Sequence, residues 1–502
     1  MRTHPRLRDV AFLVALLLGL LADQLVRAPG RPALNVALWA LVGTAALWLL
    51  SRRREEPVSR ETWWLVGGAA AFAGLLVLRD ADALAMFCLL SGLVLLGLAA
   101  GRGALAWAGR ASIGEITTAA VRTGLLIALG PLGWSLGSTR EPAGPVPSGG
   151  RSWEGHARMA ARGTVMALPA LFVLTALLMS ADPVFERVIH DRLLSGIEPL
   201  IEHLLVAGLI AWFVGGYLRA FLVRDDLVKE GAGIPRPGLA PSEVAFALSL
   251  LNVLFIAFLA VQVRYLFGGA GLVEVTEGLS YAEYARRGFF ELVAAAALVV
   301  PVLLVADWAA AEDRVRGRRV LRWTSTLLIL LLAGVLASAA YRMRLYQDAY
   351  GLTELRLYVS VFMAWLTALL GWLAATVLRG RRRGFAFVAI VGGLACVAAL
   401  HALNPHALIA RVNLDRAASG AEYDGDYLRT LSADAVPTLI ARLPSLPVGE
   451  RCRVAAVLDE RWSGERPGGW RTWNLGDARA RRLVAEMPAP VACPAEVSPS
   501  TD

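Results

Sequence analysis

The sequence predicts an all-α protein, a polytopic helical integral membrane protein of about 11 transmembrane helices with a small helical C-terminal extracytoplasmic domain. Three observations support this fold class. Apolar residues make up 57% of the chain and the mean hydropathy is +0.55, whereas soluble proteins are roughly half apolar. Long apolar stretches alternate with short loops as far as about residue 404, and arginines gather in every second loop.

A hydrocarbon core about 30 Å thick requires a helix of about 20 apolar residues, and the chain contains eleven stretches of about this length. The eleven spans cover residues 10–27, 33–50, 63–78, 83–100, 163–180, 197–218, 243–263, 288–308, 323–341, 357–378 and 384–403. The basic N-terminus resembles a signal peptide, but the helix continues through Ala22 to Leu25 without a convincing cleavage motif. We therefore predict a retained first span.

The segment Ile113–Gly137 decides the topology, because Glu115 and Arg122 interrupt it and Gly130-Pro131 breaks it. If it does not cross the membrane, the loops of one side hold 27 basic residues and those of the other side hold 11. If it crosses, the counts become 17 and 20. Because positive residues concentrate on the cytoplasmic side, we predict an interfacial or re-entrant helix here, a cytoplasmic N-terminus and an outer C-terminal domain.

The chain divides into four predicted parts. They are an N-terminal four-span bundle (1–104), an interfacial helix with a Pro/Gly-rich cytoplasmic linker (105–158), a seven-span membrane core (159–404) and a small helical extracytoplasmic domain (405–502).

The C-terminal domain contains three predicted helices. Ser432 is a suitable N-cap for a helix beginning at Ala433, and two more are expected at about 449–462 and 477–486. Cys452 and Cys493 are the only cysteines here, and an extracytoplasmic location would permit a disulfide between them. Two unpaired thiols are the alternative.

Four loops rich in aromatic and charged residues fall on the predicted outer face, beginning at Ser180, Tyr281, Tyr341 and Asn404. If they meet at one end of the bundle, they predict a pocket for an anionic ligand, with arginines ringed by tyrosines. The alternative is that these residues are interface anchors that pair locally. The predicted ligand-binding residues are Tyr281, Glu283, Tyr284, Arg286, Arg287, Glu291, Arg342, Arg344, Tyr346, Tyr350, Glu354 and Arg356.

Three other motifs are weaker evidence for a functional site. Asp424-Gly-Asp426 imitates a metal-binding DxD, but Asp426 is more simply a helix N-cap. His401 and His406 flank a proline at a spacing unsuited to a shared metal, and neither HExxH nor CxxC occurs, so we predict no metal and no cofactor. Glu202-His203 within a span is an ionisable pair of the kind that relays protons, although adjacent residues point about 100° apart on a helix.

The position of the basic residues indicates which partners the protein binds. The net charge of +9 comes from residues beside membrane spans, which indicates phospholipid headgroups rather than nucleic acid. Three hypotheses of function remain open: binding or transport of an anionic or lipid-headgroup ligand at the outer face, an outer-face transferase acting on a lipid-linked substrate with Glu283, Glu291 or Glu354 as general base, and a structural or sensory scaffold whose C-terminal domain recruits an envelope partner. No catalytic residue is identified.

Several sequence motifs of the chain resemble those of a known family. They are SADPVFERV, YLFGG, YAEYARRGFFEL, YRMRLYQDAYGLTELRLYV, NPHALIARVNL, DYLRTLSADAVP and WRTWNL, between about Leu168 and Leu483. With them the chain resembles uncharacterised bacterial membrane proteins grouped as domain of unknown function 4173, related to 4153. The resemblance implies a polytopic membrane fold and brings no activity, substrate or catalytic residue.

Overall fold

The computed structural model describes residues 5–26, 30–54, 57–101, 113–136, 174–175, 177–182, 198–222, 237–267, 289–310, 315–377, 384–420, 424–464 and 469–487. Within these residues the regular structure is helical, and one isolated β-bridge joins Leu239 to Ala310. Nine of the described helices are long and apolar enough to cross a membrane. The predicted all-α polytopic fold class is confirmed, and the chain is an integral membrane protein.

The membrane part is built from long helices. They are α1 (Pro5–Val26), α2 (Leu34–Ser51), α3 (Arg60–Leu75), α4 (Asp82–Ala100), α5 (Ile113–Leu136), α6 (Glu198–Leu222), α7 (Pro241–Phe267), α8 (Phe289–Ala309), α9 (Val315–Tyr350), α10 (Glu354–Val377) and α11 (Phe385–Leu403). All except α3 and α5 contain a candidate span. The span predicted at 163–180 lies mostly outside the described residues.

The bundle has two ends that the chain visits alternately. We call the end at Leu34, Asp82 and Leu403 the domain end, because the C-terminal domain packs there, and the opposite end, at Ser51 and Leu222, the far end. Each described span carries the chain from one end to the other. Of the loops predicted to share the outer face, those around Gly351 and Asn404 lie at the domain end.

Helix α3 is shorter than a usual span, since its 16 residues extend about 24 Å. It nevertheless joins the two ends. At the far end, the Arg54 guanidinium before it donates to the Phe221 carbonyl (3.2 Å). At the domain end, the Val77 carbonyl after it accepts from the Leu475 N–H of the C-terminal domain (2.7 Å).

Helix α5 packs against α4 and α6. A methyl group added to Gly101, just after α4, would lie 2.9 Å from the Thr123 hydroxyl. Further along α5, Gly130 meets Gly216 near the end of α6, so closely that a methyl group on Gly130 would lie 2.8 Å from the Gly216 Cα. The Trp212 indole, in the middle of α6, donates to the Ala128 carbonyl (2.8 Å), so α5 also packs along α6. The interfacial or re-entrant placement of α5 stays a prediction.

Helices α1 and α6 meet along a seam of small residues. The seam carries residues four apart on each helix: Ala11, Ala15, Gly19 and Asp23 on α1, and His203, Ala207, Ala211 and Gly215 on α6. Small residues allow membrane helices to approach closely. At the domain end of the seam, the His203 Nδ1 lies 2.5 Å from the Asp23 carboxylate. The sequence indicated His203 as a candidate relay but not this partner.

The C-terminal domain is a compact helical unit. It contains α12 (Pro405–Ala418), α13 (Gly425–Thr430), α14 (Val436–Arg442), α15 (Val448–Trp462) and α16 (Leu475–Ala485), with 3₁₀ turns at Ala433–Ala435, Leu443–Ser445 and Gly469–Thr472. The three predicted helices are all present, the first of them beginning as a 3₁₀ turn. Leu352 and Leu357 of the membrane part belong to the same apolar core as Ile409, Val436 and Leu458, so the core continues into the bundle.

The cysteines differ by location. Cys88 and Cys396 carry free thiols, whereas Cys452 is disulfide-bonded. Cys493, its predicted partner, lies outside the described residues. A disulfide is expected in an oxidising compartment such as the bacterial periplasm.

Candidate functional site at the domain end

Two aspartates, Asp434 buried and Asp80 partly buried, join the bundle to the C-terminal domain. Asp80, in the loop between α3 and α4, donates its N–H to the Asp434 carboxylate (2.7 Å), and its own carboxylate accepts the Ala433 N–H (3.2 Å). The Asn474 amide also donates to Asp80 (3.1 Å). We call Asp80 and Asp434 the aspartate pair. Each aspartate accepts a main-chain N–H from the other's segment, so the contact fixes both segments at once.

Two arginines surround the aspartate pair. Arg31 lies 3.1 Å from the Asp80 carboxylate and 2.8 Å from that of Asp82, and Arg79 lies 3.8 Å from that of Asp434. Burial raises the pKa of Asp434 and the charge of Asp80 adds to this, whereas the Asp80 N–H and Arg79 lower it; the net direction is upward. The two guanidinium groups offset the repulsion between the carboxylates.

Local capping places Asp434 and Asn474. The Ser432 hydroxyl accepts the Asp434 N–H (3.4 Å) and begins the 3₁₀ turn, as the sequence predicts. The Asn474 side chain caps α16 by accepting the Asp477 N–H (2.7 Å). Gly476 faces the site, because a methyl group there would lie 2.6 Å from an Asp434 carboxylate oxygen.

Glu354, a predicted site residue, is held by the C-terminal domain. Its carboxylate lies 3.2 Å from the His406 Nε2 and accepts the Tyr358 hydroxyl (3.0 Å), while its N–H donates to the Tyr427 hydroxyl oxygen (2.7 Å). The His406 Nδ1 accepts the Ser432 N–H (2.8 Å). The Ser432 N–H thereby fixes the orientation of the imidazole ring, with its Nε2 edge facing Glu354.

Asn413 of α12 binds the short turn between α9 and α10. Its amide accepts the Leu352 N–H (2.7 Å) and donates to the Leu352 carbonyl (2.8 Å), and all three groups are buried. Gly351 takes a positive φ of 74° at this turn, and a side chain there would meet Asn413. Two of the predicted outer motifs, those around Gly351 and Asn404, are thereby brought together.

Arg356, Tyr346 and Tyr350 also come together as predicted, but the arginine has local partners. Its guanidinium lies 3.9 Å from the centre of the Tyr346 ring and donates to the carbonyls of Tyr350 and Gly351. These are orphan carbonyls at the end of α9. Arg356 therefore acts as a C-terminal cap of that helix, which is the local pairing that the alternative interpretation predicts.

Arg342 lies inside the bundle at the domain end of α9. It is 5% exposed and donates to the Gln262 side-chain carbonyl (2.7 Å), which also accepts the Ser338 hydroxyl (3.1 Å). Arg344 and Glu291 are exposed. The structure therefore places Arg342 and Arg344 on opposite sides of the helix surface, one buried and one accessible.

The remaining predicted site residues, Tyr281, Glu283, Tyr284, Arg286 and Arg287, lie outside the described residues.

The structure shows how the Asp424-Gly-Asp426 motif is used. Asp424, not Asp426, is the N-cap of α13, because its side chain accepts the Tyr427 N–H (2.9 Å), while Asp426 pairs with Arg429. The cap prediction was therefore wrong by two residues: the helix begins earlier, at Gly425.

No group of three potential metal ligands occurs among the described residues. His401 and His406 have separate partners, since the His401 Nε2 lies 2.9 Å from the Cys88 sulfur. Sequence reasoning missed Asp80, Arg79 and Arg31 altogether. The signal was present in Arg79-Asp-Ala-Asp82, four residues with three charges in a short connection between apolar helices, where an unpaired charge is costly.

Comparisons with known proteins identify a family for this chain but no activity. Neither a curated protein nor a solved structure matches the chain. A family model does match, over residues 66–441, about three quarters of the chain. The match begins in α3, well before the motifs that carried the resemblance, and it is to the related family rather than to 4173. The chain belongs to the family described as domain of unknown function DUF4153.

Proposed function

We propose that this protein is a membrane scaffold that holds its C-terminal domain in a fixed position at the domain end, where the domain binds an envelope partner. The observation that carries the proposal is the aspartate pair. Asp80 and Asp434 bond to main-chain groups across the junction, with Arg31 and Arg79 beside them. Such contacts have good geometry in one relative placement of the two parts only.

The use of the other polar groups supports the same function. The Glu354 carboxylate accepts the Tyr358 hydroxyl, Asn413 bonds both main-chain groups of Leu352, and Arg356 caps a helix. A general base needs a carboxylate that can reach a substrate and exchange its proton. Glu354 is engaged in structure instead, so these contacts favour a scaffold over a transferase.

We infer further that the domain end faces away from the cytoplasm. Two independent features support this orientation: the disulfide at Cys452, and the 27-to-11 distribution of basic residues in the sequence. A reporter that is active only in the cytoplasm, fused after Asp502, is expected to stay silent. Strong reporter activity would contradict the orientation and leave the scaffold without access to an envelope partner.

In-cell photo-crosslinking tests the scaffold. A photoreactive residue replaces Val448, the exposed first residue of α15. We expect a discrete adduct with a partner protein in the parent chain. Asp434→Ala should weaken the adduct because the domain is no longer held in place, while the matched variant Asp459→Ala, at an exposed aspartate of the same domain, should keep it.

Two results would contradict the scaffold. One is that scanning the exposed positions of the domain yields no discrete adduct. The other is an adduct that Asp434→Ala leaves unchanged although proteolysis shows the domain released, because the partner would then bind without the fixed placement.

Binding of an anionic or lipid-headgroup ligand is the second candidate. The observation favouring it is the cluster at the domain end of α9, where buried Arg342 and exposed Arg344 lie near Tyr346 and Tyr350. Native mass spectrometry with added phosphatidylglycerol tests it. Arg344→Gln should reduce the bound fraction and Arg322→Gln, an exposed arginine at the far end of the same helix, should not; equal binding by both variants would remove the candidate.

A further inference from the structure

The edge of the C-terminal domain nearest the bundle exposes apolar side chains. Trp470, in the last 3₁₀ turn, is 59% exposed, and Leu475, the first residue of α16, is 49% exposed. Both belong to one continuous segment, and both lie beside residues that contact the bundle. Exposed tryptophan beside a membrane helix is a specific observation, because tryptophan concentrates where hydrocarbon meets water.

Two main-chain hydrogen bonds fix the depth of this edge. The Leu34 N–H donates to the Trp473 carbonyl (3.3 Å), and the Leu475 N–H donates to the Val77 carbonyl (2.7 Å). Leu34 is the first residue of a candidate span, and Val77 comes two residues after the end of α3. The edge therefore lies level with the first residue of the candidate span in α2 and with the end of α3.

The exposed face of α16 changes from apolar to basic along the helix. Leu475 is followed on the same face by the exposed arginines Arg479 and Arg482, at i+4 and i+7. The opposite face, with Ala480 and Val484, is buried in the core of the domain. Arg479 lies about 6 Å along the helix from Leu475. This rise along the helix axis is comparable in size to the thickness of one headgroup layer, roughly 5–8 Å.

We propose that Trp470, Leu475 and Arg479 form a membrane-contacting edge, through which the C-terminal domain rests on the bilayer surface beside α2 and α3. Trp470 and Leu475 enter the boundary between headgroups and hydrocarbon, and Arg479 contacts phosphate groups. The bilayer is the occupant because the edge is level with the ends of the spans, and because the order of apolar and basic residues follows the polarity of a lipid leaflet.

The edge gives the domain an attachment that is separate from the aspartate pair. Trp470 and Arg479 contact neither Asp80 nor Asp434 through any described hydrogen bond or ion pair. The membrane-contacting edge does not depend on the scaffold proposal, since lipid contact follows from depth alone.

Depth-dependent fluorescence quenching of the full-length protein in lipid nanodiscs tests the edge. The background carries Cys88→Ser and Cys396→Ala, which remove the free thiols and leave the disulfide. A polarity-sensitive fluorophore is attached after Trp470→Cys, Leu475→Cys or Val448→Cys in turn. Val448 is the matched control, because it is an apolar residue of the same domain that is 67% exposed.

The expected result separates the positions clearly. Fluorophores at 470 and 475 should emit at shorter wavelength, be quenched by nitroxide-labelled lipid and resist aqueous iodide, whereas the fluorophore at 448 should show the reverse. If 470 and 475 behave like 448, the edge faces water and the proposal fails. If they resist both quenchers, protein covers the edge, from a second copy or another partner, and the proposal fails as well.

Discussion

Asn413 offers the sharpest test of how the C-terminal domain is held. Its amide bonds both the N–H and the carbonyl of Leu352, and Asn413→Ala removes both partners at once. A buried main-chain group that loses its partner costs about 1–3 kcal/mol. Since Leu352 and Asn413 are both buried, we expect the docked state to be destabilised by about 2–6 kcal/mol.

Limited proteolysis of the protein in nanodiscs measures this effect. When opening is fast relative to cleavage, the cleavage rate follows the population of the open state. A loss of about 2 kcal/mol corresponds to roughly a 30-fold faster release of the C-terminal domain, at tenfold per 1.4 kcal/mol. Asn413→Asp should also release the C-terminal domain faster than the parent chain does. It keeps an acceptor for the Leu352 N–H but places a carboxylate against the Leu352 carbonyl.

Ser419→Ala is the matched control. The Ser419 hydroxyl makes one hydrogen bond, to the Arg416 carbonyl, at the exposed end of the same helix. Exposed substitutions of this kind usually change stability by less than about 0.5 kcal/mol. If Asn413→Ala is cleaved no faster than Ser419→Ala, water replaces the amide without cost, and the turn between α9 and α10 does not hold the domain.

Two further predictions concern the seam and the aspartate pair. Gly19→Ala should lower the thermal midpoint in detergent, because the added methyl group would lie 2.3 Å from the Ala207 carbonyl, whereas Gly43→Ala, with no atom within 4 Å, should not; equal midpoints would show that α1 and α6 are not closely packed. Asp434 has a raised pKa in the folded protein, so its contribution to stability is full below the ordinary aspartate value and is lost as pH rises through the folded value. Proteolysis at a series of pH values should therefore show Asp434→Asn gaining on the parent chain as pH rises over this window, and a difference independent of pH would refute the assignment.

The helices, and the end of the bundle at which each loop lies, could be predicted from the sequence because both depend on local patterns. Apolar stretches of span length predict helices, and alternation between two ends follows from counting spans. The contact between the Gly351 and Asn404 motifs could be predicted because both motifs were assigned to the same side of the membrane. Ser432 was predictable as a cap, because capping involves residues only two or three positions apart.

The contacts of the site were not predictable in the same way. Asp80 and Asp434 are separated by 354 positions, and no local pattern pairs them. Asp434 also satisfies a local rule, as an acid in the first turn of a helix, so nothing in its own segment requires a distant partner. Arg356 was misleading for a related reason: its charge suggested a ligand, but the exposed carbonyls at the end of α9 are nearer.

At the junction between the bundle and the C-terminal domain, one set of contacts favours association and another set fixes the orientation. Leu352 and Leu357 extend the apolar core of the domain into the bundle, and burial of apolar surface is non-directional, so it favours association without fixing the angle. The aspartate pair contributes little net stability, because burying charge costs about as much as the pairing returns. What it adds is a requirement that two main-chain segments lie at hydrogen-bond distance simultaneously. Under the proposed scaffold function, this requirement is what sets the angle at which the C-terminal domain presents its surface to a partner.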